Sequence, residues 1–161
     1  MKKLAVCAVL LLVSACGVKP TPVIPAGPAP TLRSPATEGR GTDLVLYFVL
    51  ADRVTPVVRP SAGVVGVESA LTVLLDGPTA GERADGYGTA LPRQSGTVTL
   101  TPGSPATINV PFPLRPLTGL GVNQLVCTAF AALATQGTTV VDSTIAVSGP
   151  DLRLPYQACQ V

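Results

Sequence analysis

Leu44-Val45-Leu46-Tyr47-Phe48-Val49-Leu50, then Ala51-Asp52, then Arg53-Val54-Thr55-Pro56-Val57-Val58-Arg59 is the stretch that decides the fold. Its first seven residues form a continuous apolar run. The run is short and rich in branched and aromatic side chains, which predicts a buried strand rather than a helix. Ala51-Asp52 reads as a turn, and Arg53 to Arg59 as the partner strand. Pro56 has no N–H to give to a ladder, so the partner lies at a sheet edge or carries a bulge.

Beyond this hairpin the period changes from strand to helix. Val67, Ala70, Leu71, Leu74 and Leu75 fall on one helical face, with Glu68 suited to the first turn. Gly77-Pro78 supplies the stop, with Gly77 as a left-handed cap. Thr97–Leu100 and Ala106–Val110 read as a hairpin around Pro102-Gly103-Ser104-Pro105. A second helix is expected from about Gly121 to Ala134, on the stripe Val122, Leu125, Val126, Ala129, Phe130 and Leu133. Thr138–Val147 reads as the last strand, and Ser148–Val161 as an irregular tail. Glu82, Arg83 and Asp85 read as a solvated face, and Gly86 and Gly88 as turning points around Tyr87. The expected fold is α+β, a small two-layer sandwich with a mixed β-sheet and two helices packed on one face.

Composition removes several function classes. The 161 residues contain no His or Trp, and a charge of +2 is too small for an electrostatic nucleic-acid footprint. Without His there is no Ser-His or Cys-His nucleophile pair, no His base and no His-bearing metal site. No metal or other cofactor is expected. The only Lys residues are at 2, 3 and 19, so Asp43–Val161 also lacks a lysine base.

The N-terminus reads as an address. Met1-Lys2-Lys3 is basic, and the following apolar run Leu4–Val13 is far short of the roughly twenty residues a membrane-spanning helix needs. It suits the apolar core of a secretory signal. Val13-Ser14-Ala15-Cys16 closes it and resembles a bacterial lipobox. That resemblance implies removal of residues 1–15, diacylglyceryl transfer to Cys16, further acylation such as palmitate, and a place on the outer face of the cell membrane. The membrane is then a partner through lipid alone, since loss of Lys2 and Lys3 leaves no basic patch. Residues 16–42 comprise the lipidated Cys and a spacer with six Pro, at 20, 22, 25, 28, 30 and 35. Polyproline II at about 3.1 Å per residue would let this spacer reach on the order of 80 Å. Residues 43–161 are the expected folded domain. The Ala, Val and Arg content beside scarce Lys fits a GC-rich genome such as an actinobacterium's.

Several motifs in this domain share one likeness. They are Tyr47-Phe48, Pro56-Val57-Val58-Arg59, Leu74-Leu75-Asp76-Gly77-Pro78-Thr79 with Glu82, Gly86, Thr89 and Leu91-Pro92, and Gln124-Leu125-Val126-Cys127-Thr128. Together they resemble the GerMN domain, also called the sporulation and spore germination domain. The resemblance runs from Asp43 to about Gly149. It departs at Ile108-Asn109-Val110-Pro111, where the family has a Val-Asp-Leu type of strand, and at Ser148-Gly149-Pro150, where it has Asp-Gly. It implies a ring-building-motif-like sandwich in an envelope module of Gram-positive bacteria, often a lipoprotein. It transfers no catalytic residue. Gly77, Pro78, Thr79, Glu82, Gly86, Thr89, Pro92, Gln124 and Thr128 are its structural positions here.

Cys127 and Cys159 remain after processing and lipidation. Cys127 falls on the flank of the second helix, within reach of the tail. The two either form a disulfide, which an extracytoplasmic site permits, or stay as two buried thiols. The expected function is a non-catalytic, membrane-anchored interaction or scaffold module of the cell envelope, with an unidentified protein partner and no nucleic acid. Sheet edges are compatible with a homo-oligomer, but one domain copy gives no sign of it. The alternative is a lipoprotein that binds wall glycan or a small solute, where Tyr47, Tyr87, Tyr156 and the three Phe are the residues able to stack on a sugar. An enzyme would have to work with carboxylates such as Asp52, Asp76, Glu82, Asp85 and Asp142, and no spacing singles out a pair.

Overall fold

The computed structural model describes residues 43–93, 96–138 and 143–161. The signal sequence, Cys16, the spacer and Asp142 lie outside the described residues, as do residues 139–142 of the expected last strand.

Strands β1 (Leu44–Leu50) and β2 (Arg53–Arg59) form an antiparallel hairpin in which Leu50 faces Arg53 and Leu44 faces Arg59. Ala51 and Asp52 join them with φ of 48° and 60°, the two left-handed residues of a tight hairpin turn. Leu46 and Phe48 point to the core and are fully buried. Each such side chain contributes roughly 1.5–3 kcal/mol on leaving water. Pro56 faces Tyr47, is exposed, and lies on a strand that, among the described residues, pairs only with β1. The edge position expected from its missing donor is the one it occupies.

Helix α1 (Val67–Asp76) follows and buries Val67, Ala70, Leu71, Leu74 and Leu75, the stripe expected from the sequence. Its end is set by Gly77, whose φ of 82° is open to glycine at little steric cost. A short helix, α2 (Ala80–Ala84), comes next. Strands β3 (Thr99–Thr101) and β4 (Thr107–Asn109) form the expected second hairpin. Helix α3 (Gly119–Thr135) starts at its N-cap Thr118, whose hydroxyl accepts from the Gly121 N–H. It packs against β1, β2, α1 and β5, so nearly all of its circumference is buried. Val122, Leu125, Val126, Ala129 and Leu133 join Leu46, Phe48, Leu71, Leu74 and Ile108 in one core.

The architecture is a small α+β sandwich with mixed strand directions. Among the described residues the strands divide into two hydrogen-bonded sheets, the β1–β2 hairpin and a four-stranded sheet ordered β3-β4-β5-β6. Strand β5 (Ile145–Ser148) runs parallel to β4, and β6 (Arg153–Gln157) runs antiparallel to β5. The expectation of an irregular tail is therefore corrected: residues 153–157 are a strand. The sequence Arg-Leu-Pro-Tyr-Gln hides it, because Pro155 is a poor strand residue and only Leu154 turns toward the core. Strand β6 exists through its pairing with β5, and it takes a bulge to do so. Ile145 pairs with Gln157 but Val147 with Leu154, so Pro155 and Tyr156 share the place of one residue.

Candidate functional site

The polar residues singled out by sequence gather at two places on the hairpin. The first is the edge of β1 that faces away from β2. The Tyr47 N–H donates to Thr128 Oγ1 at 3.0 Å, and the Tyr47 carbonyl accepts from Gln124 Nε2 at 2.8 Å. Gln124 and Thr128 are one helical turn apart on α3, so one face of the helix supplies both partners. Gln124 Oε1 also accepts from the Ala90 N–H at 2.7 Å and from the Thr89 hydroxyl at 3.4 Å. Thr89 Oγ1 accepts in turn from the Leu91 N–H at 3.1 Å. Further along the same edge, Val49 and Gly88 exchange N–H···O bonds of 2.9 and 2.7 Å. Gln124 and Thr128 are buried polar residues that act as a substitute strand for β1.

The second place is the far end of the hairpin. Arg59 Nε donates to Glu82 Oε1 at 2.8 Å, and Nη2 donates to Oε2 at 2.6 Å. Arg59 Nη2 also donates to the Gly77 carbonyl at 3.2 Å, and its guanidinium carbon lies 5.3 Å from the centroid of the Phe48 ring. Glu82 closes a capping box on α2. Thr79 N–H donates to Glu82 Oε2 at 2.7 Å, while Glu82 N–H donates to Thr79 Oγ1 at 3.2 Å. These bonds, first among them those from Arg59, lower the Glu82 carboxyl from 4.5 to about 2. The solvated-face expectation is thus corrected for Glu82, whose side chain is only 14% exposed; Arg83 and Asp85 are exposed as expected. Arg83 still donates to the Pro78 carbonyl, and Pro78 itself is buried. Gly86 turns the chain out of α2 with φ of 92°. Pro92 follows the buried Leu91 in irregular chain, without forming a strand.

A third group lies at the tail. Cys127 and Cys159 are joined by a disulfide, so of the two open readings the bonded one holds. Cys127 is 1% exposed, because the tail covers the helix flank that sequence placed outside the apolar stripe. Asn123, one turn earlier on α3, accepts from the Gln160 N–H at 2.9 Å and donates to the Gln160 carbonyl. Between α3 and the tail runs a cleft of about 410 Å³, lined among others by Gly119, Asn123, Tyr156, Gln157 and Gln160. Sequence reasoning missed this cleft, because it missed β6. It also missed Asp151, which accepts from the Leu114 and Arg115 N–H groups at 2.7 and 3.0 Å. Those bonds, Leu114's first, hold the Asp151 carboxyl below its ordinary range.

Among the described residues the structure does not assemble the acids into a pair. Asp52 is in the β1–β2 turn, Asp76 ends α1 and Asp85 ends α2, all three exposed, while Glu82 is occupied by Arg59. Among the described residues no group of three or more His, Cys, Asp or Glu comes together as metal ligands. Among them, too, every buried side-chain nitrogen or oxygen has a hydrogen-bond partner. Tyr47 and Tyr87 are half-buried and Tyr156 is 69% exposed. No helix of the described residues is long and apolar enough to cross a membrane. No family model matches the chain, and neither does any curated protein or solved structure.

Proposed function

We propose that this protein is a non-catalytic lipoprotein, anchored through Cys16 on the outer face of the cell membrane, that presents a GerMN-like domain as an interaction module of the cell envelope. The Cys127–Cys159 disulfide is the observation that carries this reading. Disulfides persist in oxidising compartments outside the cytosol, where the signal sequence and Cys16 would deliver the chain. A second support is the use made of the polar motif residues. Gln124, Thr128, Thr79, Glu82 and Arg59 spend their hydrogen bonds on holding the hairpin, which suits a domain built to keep its shape. The Pro-rich spacer would carry that domain away from the bilayer to an envelope protein partner.

Metabolic labelling with a clickable palmitate analogue tests the anchor. The full chain is expected to take up label and to pellet with membranes, and Cys16→Ser to lose both properties. Unlabelled wild-type protein recovered from the cytosol with free thiols would refute the reading. In-cell crosslinking from the exposed Val58 and Val64 side chains tests the scaffold role. Capture of an envelope protein supports it, and uncrosslinked protein in intact cells counts against it.

A further inference from the structure

The cleft between α3 and β6 has no part in holding the hairpin, and its construction points to a ligand. We propose that it binds a neutral oligosaccharide, with Tyr156 as the stacking platform. The inference goes beyond the scaffold reading and does not depend on lipid anchorage.

The cleft is lined by the apolar Val122 and Leu154, by Tyr156, and by the carboxamide-bearing Asn123, Gln157 and Gln160. Among the described residues no charged side chain lines it, which suits a neutral ligand. Carboxamides both donate and accept, which is what a set of sugar hydroxyls requires. Asn123 is spent on the Gln160 backbone and Gln157 Nε2 on the Pro155 carbonyl. Gln160 is exposed and Gln157 half-buried, so both carboxamides are accessible from solvent. The cleft, at about 410 Å³, falls among small-molecule sites, which run roughly 300–1,000 Å³.

Tyr156 sits in the β6 bulge with φ of 55°, a backbone region that a bulky aromatic rarely occupies. Bulges redirect side chains, and here the result is a ring 69% exposed at the cleft wall. A large apolar ring left in water gains nothing for the fold, whereas a sugar's C–H face would cover it. The disulfide and the Asn123–Gln160 bonds fix the chain on the C-terminal side of the bulge, so the cleft wall is held before any ligand arrives. An extended peptide is a poorer occupant. Adding a strand to β6 would need an unbroken edge, and Pro155 and the bulge interrupt it.

The test uses the full chain in a zwitterionic detergent, which introduces no sugar headgroup. Chitotetraose, maltotetraose and mannotetraose are each offered at about 10 mM, a level that reveals millimolar affinity. Saturation-transfer NMR is expected to show transfer from protein to the ring protons of at least one of them. Tyr156→Ala should weaken that binding roughly tenfold, the measure of one lost stacking contact and its area. Gly119→Phe should also weaken it, since Gly119 lines the cleft and an added Cβ there meets nothing within 4 Å, which leaves room for a larger side chain at the cleft. Unchanged melting temperatures establish that both variants are folded. Absence of transfer to all three sugars overturns the proposal, as does binding that survives both substitutions. So does capture of a synthetic Val18–Ala36 spacer peptide at this cleft when no sugar binds. None of these results bears on palmitate labelling or crosslinking, so the scaffold reading stands or falls separately.

Discussion

Replacing both Cys127 and Cys159 with Ala opens a loop of sequence separation 32. A closed loop of that length removes about 12 cal/mol/K of entropy from the unfolded chain, or about 3.7 kcal/mol at 25 °C. The native state keeps its other tail attachments: Asp151 still binds the Leu114 and Arg115 N–H groups, β6 still pairs with β5, and Asn123 still binds Gln160. The expected loss is therefore about 3.7 kcal/mol, most of it arising in the unfolded state. Urea unfolding of the full chain, followed by far-UV circular dichroism, measures it. Two signatures are expected together. The midpoint should fall, and the slope m should rise because the unlinked chain exposes more surface when unfolded.

Asn123→Ala is the control, because it removes bonds to Gln160 without opening the loop. It should cost about 1 kcal/mol and leave m unchanged. A double-cysteine variant within about 1 kcal/mol of wild type would refute the reasoning. It would mean that the tail detaches before the domain unfolds, so that the crosslink never constrains the transition. Hydrogen exchange confined to residues 153–157 in that variant would locate the detachment.

Three further perturbations follow from the hairpin. Gln124→Ala leaves the Ala90 N–H and the Tyr47 carbonyl without their partner and should cost about 3 kcal/mol by urea unfolding; a loss below about 1 kcal/mol would show that water replaces the carboxamide. Glu82 has a folded pKa lowered from 4.5 to about 2, so its contribution is complete above about 4.5 and is lost as pH falls toward 2. Stability measured across that window should decline less steeply in Glu82→Gln than in wild type, and identical pH profiles would remove the Arg59 pair from the account. Ala51→Asn with Asp52→Gly places turn formers at φ of 48° and 60° and should raise the melting temperature by roughly 4 °C in scanning calorimetry; no rise would show the turn to be unstrained.

The parts of the fold legible in sequence are those whose signal is carried locally. Leu44–Leu50 announces a buried strand by its own side chains, and Val67–Leu75 a helix by its own stripe. Pro56 states its edge position through a missing donor. Strand β6 fails this test, because its strand state is imposed by β5 and by Cys159, neither of them readable in Arg-Leu-Pro-Tyr-Gln. Glu82 fails for a related reason. Its sequence neighbours Arg83 and Asp85 suggested a solvated face, while the partner that matters is Arg59, 23 residues away. Thr79 at the third position before Glu82 was the available signal, since that spacing is a capping box. Gln124 and Thr128 were marked only by resemblance, although two polar residues one turn apart in an apolar helix pose a question of satisfaction that β1's free edge answers.

That answer ties the β1–β2 hairpin and the C-terminal tail together through α3. The helix face bearing Gln124 and Thr128 holds β1, and the flank bearing Asn123 and Cys127 holds the tail. Adjacent residues, 123 and 124 and again 127 and 128, thus serve opposite clients. A rotation of α3 about its axis that loosened one set would press on the other. The disulfide cannot stretch to follow such a rotation, so it also fixes the register in which Gln124 meets Tyr47. Losing the crosslink should accordingly raise hydrogen exchange at the Tyr47 N–H, far from the tail in sequence, whereas losing Asn123 alone should leave it unchanged. Exchange at Tyr47 indifferent to the crosslink would separate the two faces of α3 and leave the disulfide a purely local staple.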